Sequence, residues 1–378
     1  MKIAISYRVV SEIDGPGVAT RNLIDALITL DTKNTYVVIY SNNSFKGRYK
    51  EFSHVIEHSS DMGNKVLFDQ CYIPYICRKE KVDLLFSPKF SVPLLSNVKS
   101  VVLQRGSEYW TYPQFYDRLD LLYVNTFLPL YCKKATRVLT LSDVLKHDLN
   151  KYLGIPLDKI TTIHSAPNVN FGKIDDLKYI EQIREQFNLP KERFILAVTK
   201  PYAATGSNNK QFYPGKNTEA VIEAFLNCKD KFADDVKLVL LGKDVKETLE
   251  ANYGKSYVNN PSFVFPGYID QKHLPALYNM ASLLSFPSYY ESFGIPIVEA
   301  MACGCPVVTS STGACPEIAG NAALIVDPDD RAALTDATYQ VLSDKTLHDD
   351  LIKKGYDRVA EFTWKKSAQK LLDVLENI

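Results

Sequence analysis

Two carboxylates eight positions apart, Glu291 and Glu299, bracket the most informative stretch of this 378-residue chain. Between them lie Ser292, Phe293, Gly294 and Ile295, followed by Pro296. Proline suits the first turn of a helix, where its missing N–H would have no intrahelical acceptor. A helix is therefore predicted to start near Ile295, with the amides of Phe293, Gly294 and Ile295 free at its N-terminus. Free amides and the positive end of the helix dipole make a site for a phosphate. A carboxylate on each side can accept hydrogen bonds from hydroxyls. A phosphate flanked by hydroxyls describes a nucleotide sugar.

The elements that must position these groups are legible around them. Residues 285–320 run SFPSYYESFGIPIVEAMACGCPVVTSSTGACPEIAG. The order is strand, polar loop, helix, strand, turn and short helix. Residues 283–287 form an apolar strand and residues 305–309 the next one. Gly304 falls just past the helix end, where a left-handed conformation is needed. Two glutamates at this spacing say little alone, but the whole run is specific. It closely resembles the Glu-x7-Glu signature of the retaining GT-B glycosyltransferases, in particular glycosyltransferase family 4. Ser292 stands where that family commonly has Gly. The resemblance implies that Glu291 lies by the donor sugar and that Glu299 holds the nucleotide ribose.

A departing nucleoside diphosphate carries negative charge that cations or a metal must meet. Lys200 and Lys216 fall where family 4 carries its basic pair. Lys200 ends the run ILAVTK, and Lys216 precedes Asn217 at a helix start, with a loop of unusual length, 201–215, between them. The rival solution is a metal on Asp327-Pro328-Asp329. With Pro328 at a first helical position, an N-cap aspartate is the better reading, so no metal is expected. Gly267-Tyr268-Ile269 resembles the segment that cradles the base, which brings in Tyr268. Gly15 and Gly17 form a turn after the first strand, and the family uses such a turn at the donor phosphate. An NAD site is disfavoured: Thr20 replaces the third glycine, and the second strand closes in Ser41-Asn42-Asn43, without an acid for the ribose. Where family 4 has His-Asp after its fourth strand, this chain has Gln104-Arg105, so either could take the sugar-facing place. The aromatic run from Tyr109 to Tyr116 follows, and it reads equally as core or as a stacking surface. Ser142 matches a family segment and reads equally as a helix cap.

Composition narrows the class. Apolar residues make up 46% and charged residues 23%, as in ordinary globular proteins. Lys plus Arg equals Asp plus Glu at 44 each, which argues against a nucleic-acid binder. Up to Gly172 there are 21 basic and 16 acidic residues, a mild bias compatible with anionic substrates or lipid head groups. Seven cysteines and no secretory signal fit a reducing cytosol. No apolar run approaches the roughly 20 residues that span a bilayer.

Strands and helices alternate twice along the chain, so the fold class is α/β. Two Rossmann-like domains are expected, 1–172 and 173–362, and the resemblance implies that the first binds the acceptor and the second the nucleotide sugar. The resemblance makes this GT-B, the domains facing across a cleft, with helix 363–378 crossing back to the first. There a Trp364-containing turn leads the helix, whose stripe of Leu371, Leu372 and Leu375 suits docking. The implied activity is metal-independent, retaining transfer from a UDP- or GDP-linked sugar to a hydroxyl of a glycan, glycolipid or small molecule. No other cofactor is expected. The implied setting is cytoplasmic polysaccharide or glycoconjugate synthesis, with peripheral membrane contact through the N-terminal domain left open. A phosphorylase or hydrolase on the same fold, or a non-catalytic nucleotide-sugar-binding subunit, are the alternatives.

Overall fold

The computed structural model describes residues 1–8, 15–203 and 210–378. Asp14, at the head of the expected glycine turn, and Gly206, in the expected polar loop, lie outside the described residues. The chain divides into two compact units: Met1–Ser165 with Thr363–Ile378, and Ala166–Phe362.

The first unit is built on seven parallel strands: β1 (Lys2–Tyr7), β2 (Thr35–Tyr40), β3 (Val55–Ser59), β4 (Leu84–Ser87), β5 (Lys99–Leu103), β6 (Arg137–Thr140) and β7 (Ile160–Thr162). Their order in the sheet is β3-β2-β1-β4-β5-β6-β7. Runs such as KIAISY and TYVVIY are apolar throughout because a parallel sheet is covered on both faces. Ile3, Ile5, Val37 and Ile39 are fully buried.

Gly15, Pro16 and Gly17 do not form the expected turn. They are the first residues of the helix Gly15–Leu30, which buries Leu23, Ile24, Leu27 and Ile28. Pro16 is tolerated there because first-turn amides have no helical acceptor. The Thr20 hydroxyl donates back to the Pro16 carbonyl at 2.8 Å. The last helix starts at Trp364 itself, not after a turn, because Thr363 caps the Lys366 amide. Its Leu371, Leu372 and Leu375 are buried, and it packs on the helix Gly15–Leu30. In the aromatic run, Trp110 packs partly buried on core residues, while Tyr112 and Phe115 stack on each other at 5.5 Å.

The second unit repeats the winding. Its strands are β8 (Arg193–Val198), β9 (Pro201–Ala203), β10 (Lys210–Phe212), β11 (Val236–Leu241), β12 (Phe263–Val264), β13 (Leu283–Phe286), β14 (Val307–Ser310) and β15 (Leu324–Val326). Six of them form a parallel sheet in the order β12-β11-β8-β13-β14-β15. Strands β9 and β10 pair antiparallel. Residues 201–203 and 210–212 of the expected loop 201–215 are thus paired strands, and β10 is anchored because Phe212 joins the core with Ile195, Phe225 and Leu238. In each main sheet the strand order reverses once, at β1/β4 and at β8/β13. Ligands of such sheets bind beyond the carboxyl ends of the strands at that reversal.

Candidate active site

Both strands at the second unit's reversal lead into the predicted residues. Beyond β8, Lys216 closes a short turn, Pro214–Lys216. Asn217 follows with φ +51°, a left-handed conformation that asparagine tolerates. Its amide nitrogen donates to the Pro328 carbonyl at 2.8 Å, and its oxygen accepts from Arg331 Nη1 at 3.2 Å. The hydroxyls of Thr199 and Thr218 bond at 2.6 Å, tying the end of β8 to the helix Thr218–Cys228. The turn holding Lys216 is therefore fixed from both sides.

Beyond β13, the amide of Tyr289 donates to the Gly215 carbonyl at 2.9 Å. This contact brings the 289–294 loop beside Lys216. Lys216 Nζ then donates to Glu291 Oε1 at 2.6 Å and lies 4.5 Å from the centre of the Phe286 ring. A charge-assisted bond and a cation over an aromatic face both hold the ammonium. The two side chains keep 20% and 16% of their surface exposed, so an anion can still reach them.

The far side of Glu291 is set by backbone. Gly313 has φ +57°, and a Cβ there would lie 2.8 Å from the Glu291 nitrogen and 2.9 Å from its carbonyl oxygen. Only glycine lets the strand-to-helix turn after β14 come that close. The Ala314 amide donates to the Glu291 carbonyl at 2.9 Å.

The helix Ile295–Ala302 starts where the sequence predicts, with Pro296 in its first turn and Gly294 as N-cap at φ +87°. Ser292 and Ile295 are half-buried and Phe293 is buried. Glu299 sits one turn into the helix, 6% exposed, and accepts a 3.1 Å hydrogen bond from the Tyr278 hydroxyl. Burial pushes its carboxyl up to about 7, with the Tyr278 bond pulling the other way. Cys315, close to Glu291 and Lys216, is pushed up to about 11 by burial and stays a neutral thiol.

Other predicted residues are not gathered here by direct contact. Lys200 is exposed, and among the described residues its ammonium makes no hydrogen bond or ion pair; only its carbonyl is engaged, accepting from the Tyr213 amide at 2.8 Å. Tyr268 is 47% exposed beside Gly267, whose carbonyl accepts from the Gly242 amide at 3.2 Å. Asp327 does not cap a helix. The helix Arg331–Ser343 is capped by Asp330, while Asp329 accepts from the Tyr289 hydroxyl at 2.7 Å. The helix starts three residues later than Pro328 predicts, so the proline lies outside it.

In the first unit, Arg105 bonds the Pro88 carbonyl at 3.2 Å and the Thr20 hydroxyl near the start of the helix that holds Gly15 and Gly17. Gln104 is fully buried and donates to the Phe90 carbonyl, so it is not a surface-facing alternative to Arg105. Ser142 caps the helix Asp143–Leu153 through the Leu145 amide. Among the described residues no group of three or more His, Cys, Asp or Glu side chains is arranged to hold a metal.

Residues 208–358, which contain Lys216, Glu291 and Glu299, match the family model of glycosyl transferases group 1. This stretch is a glycosyl transferases group 1 domain. The serotype-specific mannosyltransferase WbdA of Escherichia coli is 28% identical over 245 residues, 64% of this chain but 29% of its own length. The chain thus aligns with under a third of that relative. Among solved structures, the sucrose-phosphate synthase of Thermosynechococcus elongatus superposes with a TM-score of 0.76 at 19% identity, covering 100% of this chain and 98% of that one. Anabaena HepE in complex with UDP-glucose gives 0.71 at 17% identity, covering 100% of both chains. Two parallel Rossmann-like units of this kind are the GT-B fold.

Sequence reading missed two residues that build the site, Tyr278 and Gly313. Tyr278 lies 21 positions before Glu299 and carries no local signal. Gly313 was visible as a glycine after a strand, but its close approach to Glu291 joins segments that only the folded sheet brings together.

Proposed function

We propose that this chain is a glycosyltransferase that moves a sugar, with retention of anomeric configuration, from a nucleoside diphosphate sugar to an acceptor hydroxyl. The observation that carries this reading is the Lys216–Glu291 pair at the β8/β13 reversal, beside the helix that starts at Ile295 and buries Glu299. Glu299 accepts the ribose hydroxyls. The amides near Ser292, Phe293, Gly294 and Ile295 face the diphosphate. Lys216, helped by Lys200, offsets the charge that grows on the departing diphosphate. Glu291 holds sugar hydroxyls and stabilises positive charge near the anomeric carbon. The bond from that carbon to the phosphate oxygen breaks as the bond to the acceptor oxygen forms. The acceptor proton passes to the departing phosphate on the same face. Two lysines and a helix N-terminus supply the cationic role, so the reaction runs without a metal.

Tyr268 and the Gly267 backbone border the base, which is uracil or guanine. Gly15, Gly17 and Arg105 serve the donor from the first unit, which also binds the acceptor. The name of WbdA supports a mannosyl or related hexosyl donor and a polysaccharide acceptor of the O-antigen kind. Residues 1–172 with 363–378, and 173–362, are the acceptor and donor domains of this reading. Cytoplasmic polysaccharide synthesis is the setting in which such a donor would be used.

The decisive experiment pairs turnover with nucleoside diphosphate affinity in Glu291→Gln. Turnover is expected to fall at least ~100-fold, because a charge acting in the transition state is lost. Affinity stays within a few-fold. Near wild-type turnover would reduce Glu291 to a surface carboxylate and remove the reading. Release of free sugar or sugar phosphate without acceptor would instead mark a hydrolase or phosphorylase.

A further inference from the structure

The helix Arg118–Lys134 has apolar residues on two opposite faces. Val124, Leu128, Tyr131 and Cys132 are buried, and the last two join Val92, Val102 and Leu145 in one core. On the other side Leu119, Leu122, Tyr123, Phe127 and Leu130 are all exposed, Leu119 by 79% and Leu122 by 64%. Separations of three and four residues place them on one stripe. A helix lying on a solvated surface carries polar residues there. A contiguous apolar face left open marks an interaction site.

Charge says what covers it. Lys133 and Lys134 are exposed and follow Leu130 by three and four residues, so they extend the same stripe. At the other end Arg118 is exposed, as are Asp117 and Asp120. The unit that carries the helix has 24 basic and 18 acidic residues, a surplus of six. More apolar surface continues from the same core. Leu94 packs on it, its amide donating to Gln70 Oε1 at 2.8 Å, and Leu95 beside it is 98% exposed. Upstream of Gln70, Lys65, Val66 and Leu67 are exposed as well. Apolar side chains in a stripe that ends in lysines, on a basic unit, complement the boundary of an anionic bilayer: the leucines and aromatics enter the acyl region and the lysines reach the head groups.

We propose that the exposed face of the helix Arg118–Lys134 is a docking surface for an anionic lipid bilayer. It stands apart from the donor-site reading, since neither Glu291 nor Lys216 takes part.

The test is co-sedimentation of the full chain with phosphatidylcholine vesicles, alone or with about one quarter phosphatidylglycerol, and without any donor. The wild type is expected to sediment with the anionic vesicles and weakly with the neutral ones. Leu119→Gln/Leu122→Gln/Phe127→Gln should weaken binding by about tenfold or more. Lys133→Ala/Lys134→Ala should cost about fivefold per lysine on anionic vesicles only. These side chains are exposed, so melting temperature and nucleoside diphosphate affinity should not move. Failure of the wild type to bind anionic vesicles overturns the proposal, as does unchanged binding by the triple variant. A dimer in sedimentation velocity that the triple variant dissolves would show that a second copy covers this face, and would overturn it too.

Discussion

The two sheets are wound alike but equip their strand ends differently. At the β8/β13 reversal of the second unit, a lysine, an accessible carboxylate, a buried carboxylate and a helix start converge within two hydrogen-bonded loops. At the β1/β4 reversal of the first unit, Arg8 is held by the buried Asp69 at 3.0 Å, which also accepts from Ser91 at 2.6 Å. Arg105 is tied to Pro88 and Thr20. The second unit pairs its cation with a carboxylate from the neighbouring loop beside a helix start, and the first ties its cations to Asp69, Pro88 and Thr20. Net charge runs the opposite way: the second unit has 20 basic against 26 acidic residues. Topology places the mouth of a site, and the side chains at the strand ends decide its chemistry.

That contrast can be broken from either side. The largest effect is expected from Lys216→Ala, which should lower turnover by about 10²–10³-fold with little change in melting temperature. A chelator should leave the wild-type rate unchanged. Loss of rate in chelator with recovery on Mg²⁺ or Mn²⁺ would contradict the lysine account.

Gly313→Ala comes next. Its Cβ would meet the Glu291 backbone at 2.8–2.9 Å, and its φ of +57° disfavours alanine. Displacing Glu291 should reduce turnover by roughly tenfold to a hundredfold, as small misplacements of reacting groups do. A fully active variant would show that the close approach does not position Glu291.

Glu299→Ala should weaken nucleotide affinity by about tenfold, since a ribose hydroxyl pair loses its buried acceptor. Calorimetric titration with uridine and guanosine diphosphates would measure it. The pH dependence has a definite sign. Glu299 is raised from an ordinary 4.5 to about 7 in the fold, so the folded chain holds a proton that the unfolded chain releases. This contribution to stability is full below about 4.5 and is lost as pH rises through about 7, on the order of 3 kcal/mol in all. Denaturant titrations of wild type and Glu299→Gln across that window should differ by this slope. Nucleotide binding should strengthen over the same rise, because the carboxylate is the better acceptor.

The smallest effect is expected in the first unit. Arg105→Ala should change donor affinity by only a few-fold, because its guanidinium already serves Pro88 and Thr20. A loss as large as that of Lys216→Ala would erase the contrast between the units.

Much of this was legible in the chain. Apolar runs of strand length alternating with helical periodicity require two parallel sheets. Pro296 and Gly304 mark the helix between Glu291 and Glu299 by local rules, since one lacks a donor and the other tolerates a left-handed backbone. The pair of carboxylates and the helix start between them needed no knowledge of packing. What local rules could not supply were contacts across strands. Gly15 to Gly17 read as a turn, yet the helix claims them because its Leu23, Ile24 and Leu27 are buried. Residues 201–203 and 210–212 of the expected loop pair as strands because Phe212 found the core. Lys216 meets Glu291 from 75 residues away only because β8 and β13 are neighbours in the sheet. Glu299 is raised because the packed fold buries it, although the hydrogen bond from Tyr278, 21 residues away, pulls the other way. Sequence determined which groups are present and which local shapes they favour. Tertiary structure decided which of them meet, because strand pairing and burial act between residues far apart in the chain.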